Sequence, residues 1–266
     1  MDYQSRNLTI ARGSVLFAKF LPGTFTPGPY RDFGNCPEFT LSRTTEMLSH
    51  RSSRRGMNIK DAEISLSADL SGTVVMDDVK PKNMAMWFMN DLQTVTVASA
   101  TAQNQSIADV QLGGIYQIGR SEVAPLGLRN ISAVTVAAGA TSYQPGVDFD
   151  VDGPNGLLTI LEGGEIVEGA DLTVTYTVAA STYQQVSAGE KAVEGELKFI
   201  SENPYGPNRI ILLPRAKITP QGDLSLIGDP DSPDWMQLPF SIAAMQRGNM
   251  PIAINADGLP ALGNAA

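Results

Sequence analysis

Hydrophobic and polar residues alternate along much of this chain with the period of two that belongs to half-buried strands. The clearest run is DAEISLSADLSG, residues 61–72. Ile64, Leu66, Ala68 and Leu70 fall in one phase, and Asp61, Glu63, Ser65, Ser67 and Asp69 fall in the other. This predicts a strand with an apolar side on a core and an acidic side in water. VEGELKFIS, residues 193–201, repeats the pattern, with Val193, Leu197 and Phe199 opposed to Glu194, Glu196 and Lys198. SVLFAKF, NRIILLPRAKI and WMQLPFSIAAM predict further strands, and Pro214 and Pro239, which lack a ladder donor, predict edges or bulges in the last two. Helical spacing stands out at KPKNMAMWFMNDL, residues 80–92, where Met84, Trp87 and Phe88 recur at i, i+3, i+4. Pro81 suits a first turn and Asp77 and Asp78 precede its positive end, which predicts one amphipathic helix laid on the sheet.

The texture changes at about residue 119. Short alternating strands, SAVTV, VDFDV, LLTIL and LTVTYTV, are separated there by close turn clusters such as DGPNG and EGG. This predicts a small all-β module set into a host domain: residues 1–117 and 181–266 form the host, and residues 118–180 the insert. Both ends are weakly patterned, which predicts termini that fray or order only against a neighbour.

Composition narrows the function classes. The 266 residues are 42% hydrophobic and 18% charged, enough for one large domain or a domain with a smaller companion. The formal net charge of -9 disfavours tight nucleic-acid binding, which rests on cations that neutralise phosphates. The beginning MDYQSRNLTIARG lacks a secretory pattern, and no window of about 20 apolar residues reads as a membrane span. The expectation is a soluble product without membrane partners.

Reactive groups are sparse. Cys36 and His50 are the single cysteine and the single histidine, so no disulfide is expected, and any imidazole-based catalysis would need His50. No glycine-rich phosphate loop occurs. DFDVDG, residues 148–153, begins like a calcium loop, but its twelfth position is Thr159 where a bidentate glutamate is required. Asp229, Asp231 and Asp234 in GDPDSPDW read as a solvated loop. No metal site, cofactor or enzymatic activity is predicted.

Against the acidic background, residues 30–56 (YRDFGNCPEFTLSRTTEMLSHRSSRRG) concentrate arginines. The stretch from Gly28 to Gly72 resembles the front part of the major tail tube proteins of long, non-contractile-tailed bacteriophages. The resemblance rests on Tyr30 to Asn35, Glu38, Leu48, His50, Ser52, Ser53, Gly56 and Asp61. The insert resembles the Ig-like modules that decorate phage tail proteins, through Tyr143, Gly146, Asp148 and Gly169. The resemblance implies a mainly β fold, a β-sandwich or half-barrel with one flanking helix, assembled as hexameric rings that stack into a hollow tube. It implies a long inter-ring loop at about residues 40–60 carrying Arg43, His50, Arg51, Arg54 and Arg55. It places the protein in the virion tail, and in the host cytoplasm during assembly. Its partners would be itself, the tape measure protein, the tail terminator and distal tail proteins, with genomic DNA passing through without tight binding. Asp61, Glu63, Asp69, Glu194 and Glu196 are then expected to line the lumen and repel phosphates. Two competing classes follow from the residues alone: a carbohydrate- or cell-surface-binding β module using Tyr143, Tyr183 and Tyr205, and nucleic-acid binding through the arginine cluster.

Overall fold

The computed structural model describes residues 8–53, 56, 58–122, 124–231 and 234–259. The protein is mainly β, with several antiparallel sheets and, among the described residues, one helix. It divides into two compact units: Gln93–Gln185 forms one, and the segments up to Leu92 and from Val186 form the other.

The strands of the first, two-segment unit before the break are β1 (Gly13–Lys19), β2 (Arg31–Asp32), β3 (Glu38–Ser52) and β4 (Ile59–Met76), followed by α1 (Pro81–Trp87). The second unit holds β5 (Gln93–Val97), β6 (Ala100–Ile107), β7 (Ile115–Gln117), β8 (Ile131–Ala138), β9 (Thr141–Ser142), β10 (Phe149–Asp152), β11 (Leu157–Ile160), β12 (Leu172–Val178) and β13 (Ser181–Gln185). The first unit resumes with β14 (Val193–Ser201), β15 (Asn208–Pro220), β16 (Leu238–Ala244) and β17 (Ile254–Leu259).

One eight-stranded sheet, ordered β2-β1-β14-β15-β16-β4-β3 with β17 added to β15, builds the first unit. Residues opposed across the ladders share a face, so the register Val74↔Phe240, Ile242↔Gly72 and Ile218↔Ile242 defines a single apolar side. Val15, Phe17, Met76, Leu197, Leu213 and Phe240 join it in one buried cluster under α1, which contributes Met86. Burying a Leu- or Phe-sized side chain in this way contributes about 2–3 kcal/mol. Pro214 lies in central strand β15 at the register shift between Gly195 and Leu197 of β14, so its missing donor falls at an irregularity. Pro239 sits near the start of β16 between β15 and β4, in neither an edge strand nor a register shift. Its carbonyl accepts from Gln221 N–H just past the end of β15, where the ladder closes.

The helix is shorter than its spacing predicts. It stops at Trp87, with Phe88 as C-cap and Met89 at φ 54. Ala85 and Met86, not Phe88, are its buried apolar residues, and no acidic residue occupies the first turn. Asp78 instead pairs with Lys80.

The inserted unit begins at Gln93, well before the change of texture near residue 119. QTVTVASATAQNQSI has few apolar residues, because β6 is an exposed edge strand held by its ladder to β12. Strand β5 pairs with β13 as a two-stranded ribbon. Two sheets, β6-β12-β8-β9 and β10-β11-β7, share a buried core of Ile118, Val136, Phe149, Leu158, Ile160, Leu172 and Val174. Near the other end of the chain, residues 254–259 form β17 on β15 of the same chain, so this part of the weakly patterned tail does have an intramolecular partner.

Candidate interaction surface

The basic segment is not a loop. Residues 38–52 and 59–76 form β3 and β4, a long antiparallel hairpin, and Arg43, His50 and Arg51 lie on strand β3. Arg54 and Arg55 fall outside the described residues. The ladder between β16 and β4 ends at Ala244↔Leu70, so among the described residues strand β4 is paired from Ile59 to Asp69 with β3 alone. At about 3.3 Å per residue, this two-stranded arm reaches roughly 35 Å beyond the sheet.

Of the apolar phase of DAEISLSADLSG, Leu70 packs against the core, but Ile64, Leu66 and Ala68 stay exposed. Ile64 is 58% and Leu66 55% exposed, and Met47, Leu48 and Ile59 are also exposed. Two register shifts explain the loss of phase. Glu46 faces Ser67 while Met47 faces Ser65, which makes Leu66 an extra residue, and a second shift falls at Asp61. Each shift turns the following side chains to the opposite face. Ala68 and Leu70 keep the phase of the core side, and Ile64 does not.

The expected acidic row is scattered for the same reason. Asp69 is opposed to Thr44 on the hydroxyl-rich face, Glu63 to Ser49 past the first shift, and Asp61 occupies the second. Asp61 pairs with His50 at 2.5 Å. Glu63 is bonded by Lys60, whose hydrogen bond holds this carboxyl below the usual range. Glu194 and Glu196 share one face of β14, remote from β4 in the sheet order. They are paired with Arg215 and Arg247, both at 2.9 Å. Tyr30 donates its hydroxyl to Glu196, and burial together with that bond raises the phenol above its ordinary range. Arg247 and Arg215 lie over the Phe20 and Phe25 rings. Of the five carboxylates, Asp69 alone has no hydrogen-bond or ion-pair partner among the described residues.

The arm's cations are less well served. Arg43 has no carboxylate partner among the described residues, and Arg51 has one long bond, 3.5 Å, to the Asn58 carbonyl. Arg51 also stands directly opposite Lys60. Like charges at opposed positions destabilise a ladder.

The aromatic-Arg-Asp-aromatic-Gly-Asn stretch is a structural clamp. Fully buried Asn83 of α1 donates to the Phe33 and Asp78 carbonyls at 2.9 and 2.8 Å and accepts from Arg31 Nη1 at 2.7 Å. Arg31 lies over the Phe33 ring, Asp32 Oδ1 accepts from Gly34 N–H, and Asn35 bonds Asp77. Gly34 adopts φ 87 against Asp78, a position where a Cβ would meet that side chain at 2.2–2.7 Å.

The opposite end of the same sheet carries the stretch where the strand expected from WMQLPFSIAAM begins late: β16 starts only at Leu238, and Trp235, Met236 and Gln237 belong to the connection before it. The connection from β15 to β16 exposes Ile227 (91%), Trp235 (83%) and Leu226 (75%) beside Asp223, Asp229, Asp231 and Asp234. Asp229 and Asp234 accept from the backbone N–H of Asp231 and Trp235. Among the described residues no group of three or more side chains is placed to hold a metal. In the calcium-like stretch, Asp148 is buried and accepts from Gln144 and Glu165 N–H at 2.7 and 2.6 Å, and those backbone donors hold its carboxyl below the usual range. Asp152 accepts from Asn155.

Charge is unevenly divided. Gln93–Gln185 carries nine carboxylates and two arginines, net -7 of the formal -9, which leaves -2 for the rest. Among the three tyrosines of the surface-binding reading, Tyr143 packs on the inserted core and Tyr183 lies under Arg129, while Tyr205 is exposed. His50 and Asp61 both sit exposed on the arm, and burial, then Asp32, Asp77 and Asp78, pushes the Cys36 thiol up to about 12. Among the described residues no helix is long and apolar enough to cross a membrane.

No curated protein matches the chain. A family model described as "Protein of unknown function UCP028589" matches residues 8–249, nearly the whole length, and the chain belongs to that family.

Proposed function

We propose that this protein is a structural subunit that assembles with copies of itself into stacked rings forming the tube of a phage tail, a conduit for DNA. One observation carries the self-assembly: the arm of β3 and β4 leaves the sheet as a two-stranded ribbon with apolar residues exposed along both strands. An isolated ribbon is at best marginally stable in water, and a neighbouring surface that covers it supplies the missing burial. Both sheet edges are also open to pairing. Among the described residues strand β3 has β4 as its only ladder partner, and the two-residue β2 covers little of β1. Open edges at opposite ends of one sheet suit head-to-tail contacts that close into a ring.

The ring and tube form, the virion location, and the tape measure, terminator and distal tail partners come from the tail tube resemblance. The face bearing Thr40, Ser42, Thr44, Asp69, Ser71 and Thr73 suits a lining along which DNA slides, because short hydroxyls neutralise no phosphates. In this reading the lining repels through Asp69 together with Glu38 and Glu46, which the register places on the same face, not through the row of five carboxylates expected from the sequence. Negative-stain imaging of the concentrated full chain tests the proposal: rings or tubes are expected, and discrete monomers under all solution conditions would overturn it.

A further inference from the structure

We infer that the outer part of the β3–β4 arm of one copy, around the rung Arg51↔Lys60, seats on the β15–β16 connection of the next, in a contact that repeats along the strand direction. The inference rests on the proposed self-assembly and names the two surfaces that join. Register places them at opposite ends of the sheet. Met76 faces Leu238 at one end, where the connection emerges, and Leu70 faces Ala244 at the other, where the arm departs. Because β3 and β4 both run on past Leu70, the outer part of the arm lies a full strand length and an arm length away from the connection of its own chain. It therefore reaches the connection of another copy more readily than its own. A contact between two different surfaces at opposite poles does not close on itself as a two-fold dimer does; it propagates.

The chemistry matches at both levels. From Met47 to Lys60 the sequence holds three arginines and one lysine and no carboxylate, whereas from Gln221 to Gln237 it holds four aspartates and no cation. Arg51 stands opposite Lys60, which Glu63 already neutralises, and has only the long bond to the Asn58 carbonyl, so Asp229 and Asp234 would supply the carboxylate that Arg51 lacks. Each surface also presents apolar groups in water: Met47, Leu48 and Ile59 on the arm, and Leu226, Ile227 and Trp235 on the connection. An aromatic anchor ringed by charge is the composition of an interface centre. Such a seat covers the most exposed large hydrophobics of the first unit and one end of the unsupported ribbon together.

The test uses the full chain in low salt, followed by sedimentation velocity and negative stain. Asp229→Lys with Asp234→Lys, and separately Arg51→Glu with Lys60→Glu, are each expected to raise the concentration needed for polymer formation about tenfold or more. Combining all four changes is expected to restore it. Trp235 supplies a readout on the unmodified chain: its emission shifts to the blue and acrylamide quenching falls when polymers form. Polymers that form undiminished in both one-sided variants overturn this contact and leave self-assembly standing, as does failure of the combined variant to recover. Polymers of the unmodified chain in which Trp235 stays fully quenchable also overturn it. An unmodified chain that stays monomeric at every concentration overturns the self-assembly reading itself.

Discussion

Ala244 stands opposite Leu70 on the last rung that joins β16 to β4, and beyond it strand β4 leaves the sheet paired, among the described residues, with β3 alone. The buried cluster is complete by this rung: Leu70 packs at its margin, and none of its members lies further out on the arm. Fold and arm are thus energetically separable. Replacing residues 46–66 with a short turn is expected to leave the melting temperature of the first unit within a few degrees of the full chain while abolishing polymer formation. Calorimetry and sedimentation on the same sample check both halves.

Asn83 satisfies two carbonyls and Arg31 from a site with no access to water. Asn83→Ala removes all three bonds and strands the Phe33 carbonyl beside a small void, while the Asp78 carbonyl keeps the Lys80 N–H. The expected loss is about 2–4 kcal/mol in chemical denaturation. A variant as stable as the parent would show that the clamp contributes nothing net.

Asp148 links acid stability to the inserted unit. Its folded carboxyl titrates below its unfolded value, first through Gln144 N–H and then through Glu165 N–H. The unfolded chain therefore binds the proton more readily, and the stabilisation is present above the ordinary carboxylate range and fades as pH falls through the folded value. Melts of the full chain between pH 7 and pH 2 are expected to show the transition of this unit dropping with acid. In Asp148→Asn the transition at pH 7 lies several degrees lower, and the acid-dependent drop is smaller.

Cys36 is half-buried, its Sγ donates to the Gly34 carbonyl at 3.6 Å, and its thiol is pushed up to about 12. At pH 8 the reactive thiolate is then roughly a thousandfold scarcer than for an ordinary cysteine. Iodoacetamide labelling of the folded chain is expected to be slower by about that factor and to accelerate on unfolding in urea. Fast labelling of folded protein would contradict the burial.

The placement of strands was legible wherever alternation was tied to an intramolecular core. VEGELKFIS became β14 with the boundaries its pattern implies, and LTVTYTV became β12, because each packs one side on apolar neighbours in its own unit. The same rule misread Ile64 and Leu66, since alternation reports a strand with two unlike faces but not what covers the apolar one. It also lost phase at two register shifts, which leave no mark in composition. The border at Gln93 was hidden because β6 is an edge strand whose identity comes from its pairing with β12. Leu226 and Ile227 went unnoticed because they sit in an acidic, turn-rich connection without periodicity, and Trp235 falls within the strand expected from WMQLPFSIAAM, which begins only at Leu238.

Local order in this chain is written in residue pattern: the mainly β character, the single helix opened by Pro81, the acidic insert and the arginine-rich segment all follow from short-range spacing and turn chemistry. Which carboxylates and arginines lack partners among the described residues, and that the basic segment is a projecting ribbon, were settled only by long-range pairing. Register across strands distant in sequence fixes faces and ends, and a one-dimensional pattern cannot count those rungs.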